Sequence, residues 1–206
     1  MKKLAVMVSG GGSNLQAIMD GIDAGRINGR IVVVVSSKAG VYALERAEKA
    51  GIPTAVVARR DFASDEGYFN KNLEVIEASG AEGVILAGYL SILSSAVVER
   101  YKNAIINIHP ALIPSFCGKG YYGHRVHQAV LDYGAKISGA TVHFVDELAD
   151  HGPIIMQESV PVLDDDDADA LAARVLQIEH KILPASVALF CDDRLVVDGR
   201  RVKIRR

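Results

Sequence analysis

Blocks of consecutive apolar residues alternate along the first half of the chain with helix-like segments, and this alternation predicts an α/β fold built on a parallel sheet. Strands are expected over residues 4–8, 31–36, 54–57, 83–87 and 104–108, with helices over 14–22, 41–50, 65–78 and 94–101. The run Val32, Val33, Val34, Val35 has no polar face, as befits a strand covered by helices on both sides. After Pro110 the alternation breaks. Residues 114–123 contain three glycines and no period, which predicts a mobile loop, followed by a helix over 124–132. Strands over 140–145 and 154–160, separated by a loop over 146–153, predict an antiparallel pair at the far side of the sheet. A long helix over 168–190 with a kink at Pro184 follows. The Asp198-Gly199 step between alternating residues then predicts a small hairpin over 195–204. Without repeats, low-complexity segments or linkers, residues 1–206 read as one open, mostly parallel twisted sheet with helices on both faces: a single domain, its first ~100 residues forming one half.

The last strand of the parallel series carries the first candidate chemistry. It ends Asn107-Ile108-His109-Pro110, and side chains two residues apart on a strand share a face, so an amide and an imidazole stand together. Pro110 ends the ladder and leaves His109 at the strand's exposed carboxyl end, where ligands sit in open α/β sheets. Asp150, in the loop after the strand containing His143, can lie beside it. A carboxylate there favours the imidazolium and raises the pKa of His109 toward neutrality, which suits a general acid, while Asn107 can hold an oxyanion. Alternatively, Asn107 and His109 are a satisfied polar pair holding the following loop. Neither a cysteine nor an elbow serine accompanies them, so transfer without a covalent enzyme intermediate is favoured. His143 reads as a packed, hydrogen-bonded core residue.

Ser9-Gly10-Gly11-Gly12-Ser13-Asn14 follows the first strand and opens the first helix. Glycines let the backbone approach an anion, and the N–H groups of a helix start suit a phosphate. The spacing is neither the dinucleotide fingerprint nor a P-loop, so a monophosphate ligand is the better match. The alternative is a tight turn with Ser13 or Asn14 as N-cap.

Composition narrows the partners. A chain of 206 residues, 50% hydrophobic, can bury one substantial core, and a net charge of −2 with mixed signs argues against nucleic-acid binding. The basic segment 200–206 reads as a solvated strand end. Cys117 and Cys191 lie far apart, and His124, His127, His151 and His180 share no ligand spacing, so no metal is expected. Met1-Lys2-Lys3 runs straight into the first strand, and no apolar run approaches the ~20 residues of a bilayer span, so a cytoplasmic chain with no membrane partner is expected.

Ser9 to Gln16, Leu86-Ala87-Gly88-Tyr89, the block from Asn107 to Pro114, and His143-Phe144-Val145 with Asp150-His151-Gly152-Pro153 together resemble the folate-dependent formyltransferases, and within them the phosphoribosylglycinamide formyltransferases. The resemblance implies transfer of formyl from 10-formyltetrahydrofolate to the amine of 5-phosphoribosylglycinamide, in purine synthesis, with no metal. It implies Asn107, His109 and Asp150 as the catalytic trio. Gly12, Ser13 and Asn14 would hold the substrate phosphate and Glu179 the ribose hydroxyls. The folate would be lined by Leu90, Ser91, Ile92 and Leu93, by Asn107, and by Asp146, Glu147, Leu148, Ala149 and Asp150. Monomer and homodimer both remain open.

Three features depart from the family pattern. Ser91 and Asp65 stand where many relatives place arginines toward the folate, although Arg59 and Arg60 lie close to Asp65. The loop 115–123 is longer than the common version and is expected to close over substrate. A formyltetrahydrofolate hydrolase would be expected to carry a further N-terminal domain, and an initiator-tRNA formyltransferase a basic C-terminal one. A phosphate-binding module without catalysis would have no use for the trio.

Overall fold

A computed structural model describes residues Met1–Arg205; Arg206, the last residue of the basic segment, lies outside the described residues. The chain divides into two compact units, Met1–Ile106 and Asn107–Arg206. It passes from one to the other inside strand β5 (Ile105–His109).

In the first unit the expected alternation is present. β1 (Lys2–Val8), α1 (Ser13–Asp23), β2 (Gly29–Ser36), α2 (Tyr42–Lys49), β3 (Thr54–Val56), α3 (Asp65–Ala78), β4 (Gly83–Leu86) and α4 (Ser95–Arg100) follow in order, with one 3-10 turn at Arg59–Asp61. β1 pairs in parallel with both β2 and β4, and β2 with β3, giving the order β3-β2-β1-β4. Leu4, Ala5, Val6, Met7 and Val8 are all fully buried, as central strands between helical layers require. Hydroxyl caps start two helices: Ser64 accepts from Gly67 N (3.2 Å) and Ser94 from Val97 N (3.3 Å).

The second unit holds the end of β5, α5 (His124–Tyr133), β6 (Ile137–Phe144), β7 (Ile154–Pro161), α6 (Ala168–Cys191), β8 (Leu195–Asp198) and β9 (Arg201–Ile204). β6 and β7 pair antiparallel, as do β8 and β9, whereas β9 meets β7 in parallel. This is the α/β fold with antiparallel strands toward the C-terminus that the sequence predicts. β6 begins three residues earlier than expected, and Gly139 lies inside it. A Cβ there would stand 2.2 Å from the Glu158 carbonyl oxygen, so the close approach of β7 needs glycine. α6 buries Leu171, Val175, Ile182, Leu183, Val187 and Phe190 along one stripe. Glu179 lies on that same stripe, buried, a position where a carboxylate is exceptional.

Candidate active site

The carboxyl end of β5 is fixed by β6 and β7. Thr141 Oγ1 donates to the Ala111 carbonyl (2.6 Å) and accepts from Ile113 N (3.1 Å), while Gln157 Nε2 donates to the Ile113 carbonyl (2.9 Å). The chain leaving β5 is thereby held from both strands. Asn107 is half-buried on β5, and His109 is buried at 4% exposure, not at an exposed end as the strand pattern suggests.

The loop after β6 brings Asp150 to these two residues. Asp150 adopts a left-handed backbone (φ +54°), and Gly152 lies so close beneath β6 that a Cβ would stand 1.8 Å from the Phe144 carbonyl oxygen. The loop is braced within itself: Asp146 accepts from Leu148 N (3.0 Å) and pairs with His151 Nδ1 (2.8 Å), and Arg200 Nη2 donates to the His151 carbonyl (2.8 Å). Asp150 Oδ1 then stands 3.4 Å from Asn107 Nδ2, and Oδ2 stands 3.5 Å from His109 Nδ1. The three residues expected to act together do converge.

A fourth joins them. His143, 1% exposed, has Nε2 3.2 Å from Asn107 Nδ2 and 3.7 Å from Asp150 Oδ1, while its Nδ1–H donates to the Phe144 carbonyl (2.8 Å). It is the packed core histidine expected, and also a direct neighbour of the trio, which its mid-strand position concealed. The available signal was a titratable side chain in β6, near that strand's carboxyl end.

Electrostatics revise one expectation. Burial pushes His109 below the ordinary imidazole value, and the opposing pull of Asp150 and of the Phe116 carbonyl does not overcome it, so Asp150 does not raise His109 toward neutrality in this state. At Asp150 burial also works against charge, but the adjacent His143 and His109 imidazoles and the Gly118 N–H outweigh it, and the carboxyl is held below its usual range. The pair therefore stands as a carboxylate beside a neutral imidazole near pH 7.

The glycine-rich segment 114–123, expected to be mobile, is tied into the site. His109 Nε2–H donates to the Phe116 carbonyl (2.8 Å), and Gly118 N–H donates to Asp150 Oδ2 (2.9 Å). Phe116 is left-handed (φ +49°), and its ring meets those of Tyr121 and Tyr133 edge-on. Cys117 Sγ–H donates to the Pro114 carbonyl (3.3 Å), and burial and Asp150 push its thiol up, so it is no nucleophile. Near His109, burial pushes His127 down to about 4, with His124 and His109 adding to the effect.

In the first unit, the loop after β1 opens α1. Gly12, left-handed at φ +73°, caps the helix and no side chain does, so neither Ser13 nor Asn14 acts as the N-cap. A Cβ at Gly12 would lie 2.6 Å from Ala43 Cβ on α2. Arg46 Nε donates to the Gly11 carbonyl (2.9 Å), a contact the sequence did not reveal. Ser13 is half-buried and Asn14 buried. Just before the glycines, Ser9 Oγ bonds Ser37 Oγ (2.6 Å) and accepts from Leu90 N (2.9 Å). That contact anchors the segment in which Leu90 and Ile92 stand exposed, with Ser91 and Leu93 half-buried. The Tyr89 hydroxyl meets that of Tyr68 (2.7 Å), and burial pushes Tyr89 strongly up. Asp65, where an arginine was expected, is paired with Arg59. Of the other folate-lining candidates, Asp146 is half-buried, while Glu147, Leu148 and Ala149 are exposed. Among the described residues no cluster of His, Cys, Asp and Glu has the makings of a metal site, and no helix is long and apolar enough to cross a membrane.

A half-buried carboxylate facing an amide donor and an imidazole is an arrangement suited to general acid–base chemistry. Residues 2–187 match the formyl transferase family, and the chain belongs to that family. It is 43% identical to the chloroplastic phosphoribosylglycinamide formyltransferase of Arabidopsis thaliana, over 94% of this chain and 67% of that protein. It is 40% identical to the phosphoribosylglycinamide formyltransferase of Escherichia coli, over 97% of this chain and 95% of that protein. The crystal structure of glycinamide ribonucleotide transformylase 1 from Symbiobacterium toebii superposes with a TM-score of 0.95 at 41% identity, covering 100% of this chain and 95% of that one. The chain also matches a trifunctional purine biosynthetic protein of Drosophila melanogaster, of which it spans 14%.

Proposed function

We infer that this chain transfers a formyl group from 10-formyltetrahydrofolate to the amine of 5-phosphoribosylglycinamide, giving the formylated ribonucleotide and tetrahydrofolate in purine biosynthesis. The observation that carries this reading is Asp150, reaching Asn107 with one oxygen and His109 with the other at the buried end of β5. The substrate amine adds to the formyl carbon, and the carbonyl electrons move onto oxygen. Asn107 Nδ2–H and His109 Nε2–H are the donors for that oxyanion; a neutral imidazole can donate here, and an imidazolium would hold the charge more strongly. Asp150, ionised, draws the proton from the attacking nitrogen. As the intermediate collapses, the C–N bond to the folate breaks and the proton passes to the leaving nitrogen through water or His109. The Phe116 carbonyl holds the acceptor position at His109 Nε2, so the formyl oxygen takes its place when substrate binds.

In this reading Gly12, Ser13 and Asn14 hold the phosphate with helix-start N–H groups, and Glu179 accepts from the ribose hydroxyls. Leu90, Ser91, Ile92 and Leu93, with Asn107 and the loop Asp146, Glu147, Leu148, Ala149 and Asp150, line the folate. The exposed side chains of Leu90, Ile92 and Leu148 support that role, because they offer apolar surface to a flat ring. The whole chain acts as one formyltransferase domain on two small molecules, without metal, nucleic acid or membrane. Cys117 and Cys191 stand as thiols outside any disulfide, which supports a reducing, cytoplasmic setting.

The test is the absorbance change of a 10-formyl folate analogue. Loss of the formyl group only when 5-phosphoribosylglycinamide is added is the expected result. Formate released without the ribonucleotide makes the chain a hydrolase, and phosphate-ligand binding without turnover makes it a binding module.

A further inference from the structure

We propose that Arg46, on α2, is the positioning residue of the phosphate loop, holding the carbonyls of residues 10–12 so that the N–H groups of the same peptide planes, those of residues 11–13, face the anion. This rests on the reading of that loop as the ribonucleotide phosphate site. An anion cradle built from backbone works only if the carbonyls, which carry the opposite partial charge, are turned away. All three are turned away here. The Gly10 carbonyl accepts from Ala43 N (3.2 Å), the Gly11 carbonyl from Arg46 Nε (2.9 Å), and the Gly12 carbonyl from Gln16 N (2.9 Å). The last is the opening bond of α1, but the first two come from α2, which no reading of the glycine motif alone would include.

Gly11 is the critical one. A Cβ there would meet nothing within 4 Å, so no contact on that side fixes the residue, and the Arg46 bond is the side-chain contact that holds its carbonyl. Arg46 is in turn held at two more points. Its Nη1 donates to Gln16 Oε1 (2.9 Å), and its guanidinium lies over the Tyr42 ring at 4.6 Å. Gln16 is fixed from the other end by Nε2 donating to Asp20 Oδ1 (2.8 Å). One planar fork thus ties the Gly11 peptide to the first turn of α1. A lysine, whose three donors sit on one nitrogen, lacks the planar fork that places Nε at the Gly11 carbonyl and Nη1 at Gln16 Oε1. The close contact of Gly12 with Ala43 brings α2 near enough for this bond, so the bare backbone at Gly12 and the long side chain at 46 serve one geometry.

Steady-state kinetics on Arg46→Ala, Arg46→Lys and Ser13→Ala, with the melting temperature of each, provide the test. Arg46→Ala is expected to raise KM for the ribonucleotide about tenfold, with kcat within about twofold and the folate KM unchanged, as loss of one charge-assisted contact predicts. Arg46→Lys should recover only part of that loss. A folded Arg46→Ala variant with wild-type ribonucleotide KM overturns the proposal, as does an equal rise in both KM values, which marks general loosening. If Arg46→Ala does not fold, Arg46→Lys and Gln16→Met decide by the same criterion. Should Ser13→Ala raise the ribonucleotide KM while the position-46 variants do not, only the role of Arg46 is lost. If Ser13→Ala is also without effect, the phosphate-loop reading itself fails.

Discussion

In the proposed function the loop after β1 and the cluster around Asp150 both handle charge, one with backbone and the other with side chains. In that reading the working groups of the loop are the peptide N–H groups of residues 11–13, which do not titrate, and the design problem is to keep the carbonyls of 10–12 out. Around Asp150 every working group except Asn107 can gain or lose a proton, and burial, more than any single neighbour, sets the state of His109. A backbone cradle is therefore indifferent to pH and sensitive to geometry, whereas the side-chain cluster is sensitive to both.

The largest effect that separates the two regions is expected from Asp150→Asn. Turnover should fall by about 10²- to 10⁴-fold, the usual range for removing a general acid–base group, while ribonucleotide affinity stays near wild type. Single-turnover formyl transfer alongside ribonucleotide titration measures both, and undiminished turnover removes Asp150 from the chemistry. Next in size is the acid response of the second unit. His127 is held down to about 4, against about 6.5 in an unfolded chain, so the folded state binds fewer protons across that interval. Its contribution is intact above the unfolded value and is lost as pH falls toward 4, up to about 3 kcal/mol. Burial lowers His109 in the same direction. Urea midpoints at pH 7 and pH 4.5 should drop less in His127→Leu than in wild type, and parallel drops refute the assignment. Smallest is Ser13→Ala, expected to raise ribonucleotide KM by about tenfold with little change in kcat, at an extent that does not vary between pH 6 and 8 beyond the titration of the phosphate itself. A pH-dependent penalty would blur the distinction between the regions.

Most of the fold could be read from the chain because apolar blocks and turn residues agree about where each element begins and ends. β6 is the instructive exception. Gly139 reads as a strand breaker, yet it is inside the strand because the Glu158 carbonyl comes too close for any side chain, a fact of pairing that no local pattern contains. The trio was legible since a strand end, a proline and a loop acid are sequence features. The charge state of His109 was not, because the partner can be named from the chain but the burial cannot. His143 and Arg46 were missed for opposite reasons: one looks like core and the other like a solvated helix face, and only tertiary contacts distinguish them. The glycines of 114–123 suggest freedom in the sequence. In the folded chain the Gly118 N–H is a donor to Asp150 and the Phe116 carbonyl an acceptor for His109, so the segment is part of the site's wiring.

The tight seat of Gly152 against Phe144 limits how this pocket can be remodelled. Because any larger residue at 152 would drive the chain off β6, exchange within this loop falls to positions such as 147–149, which are exposed. A library randomised at those three positions should keep folded members throughout, whereas one randomised at 152 should return glycine almost alone.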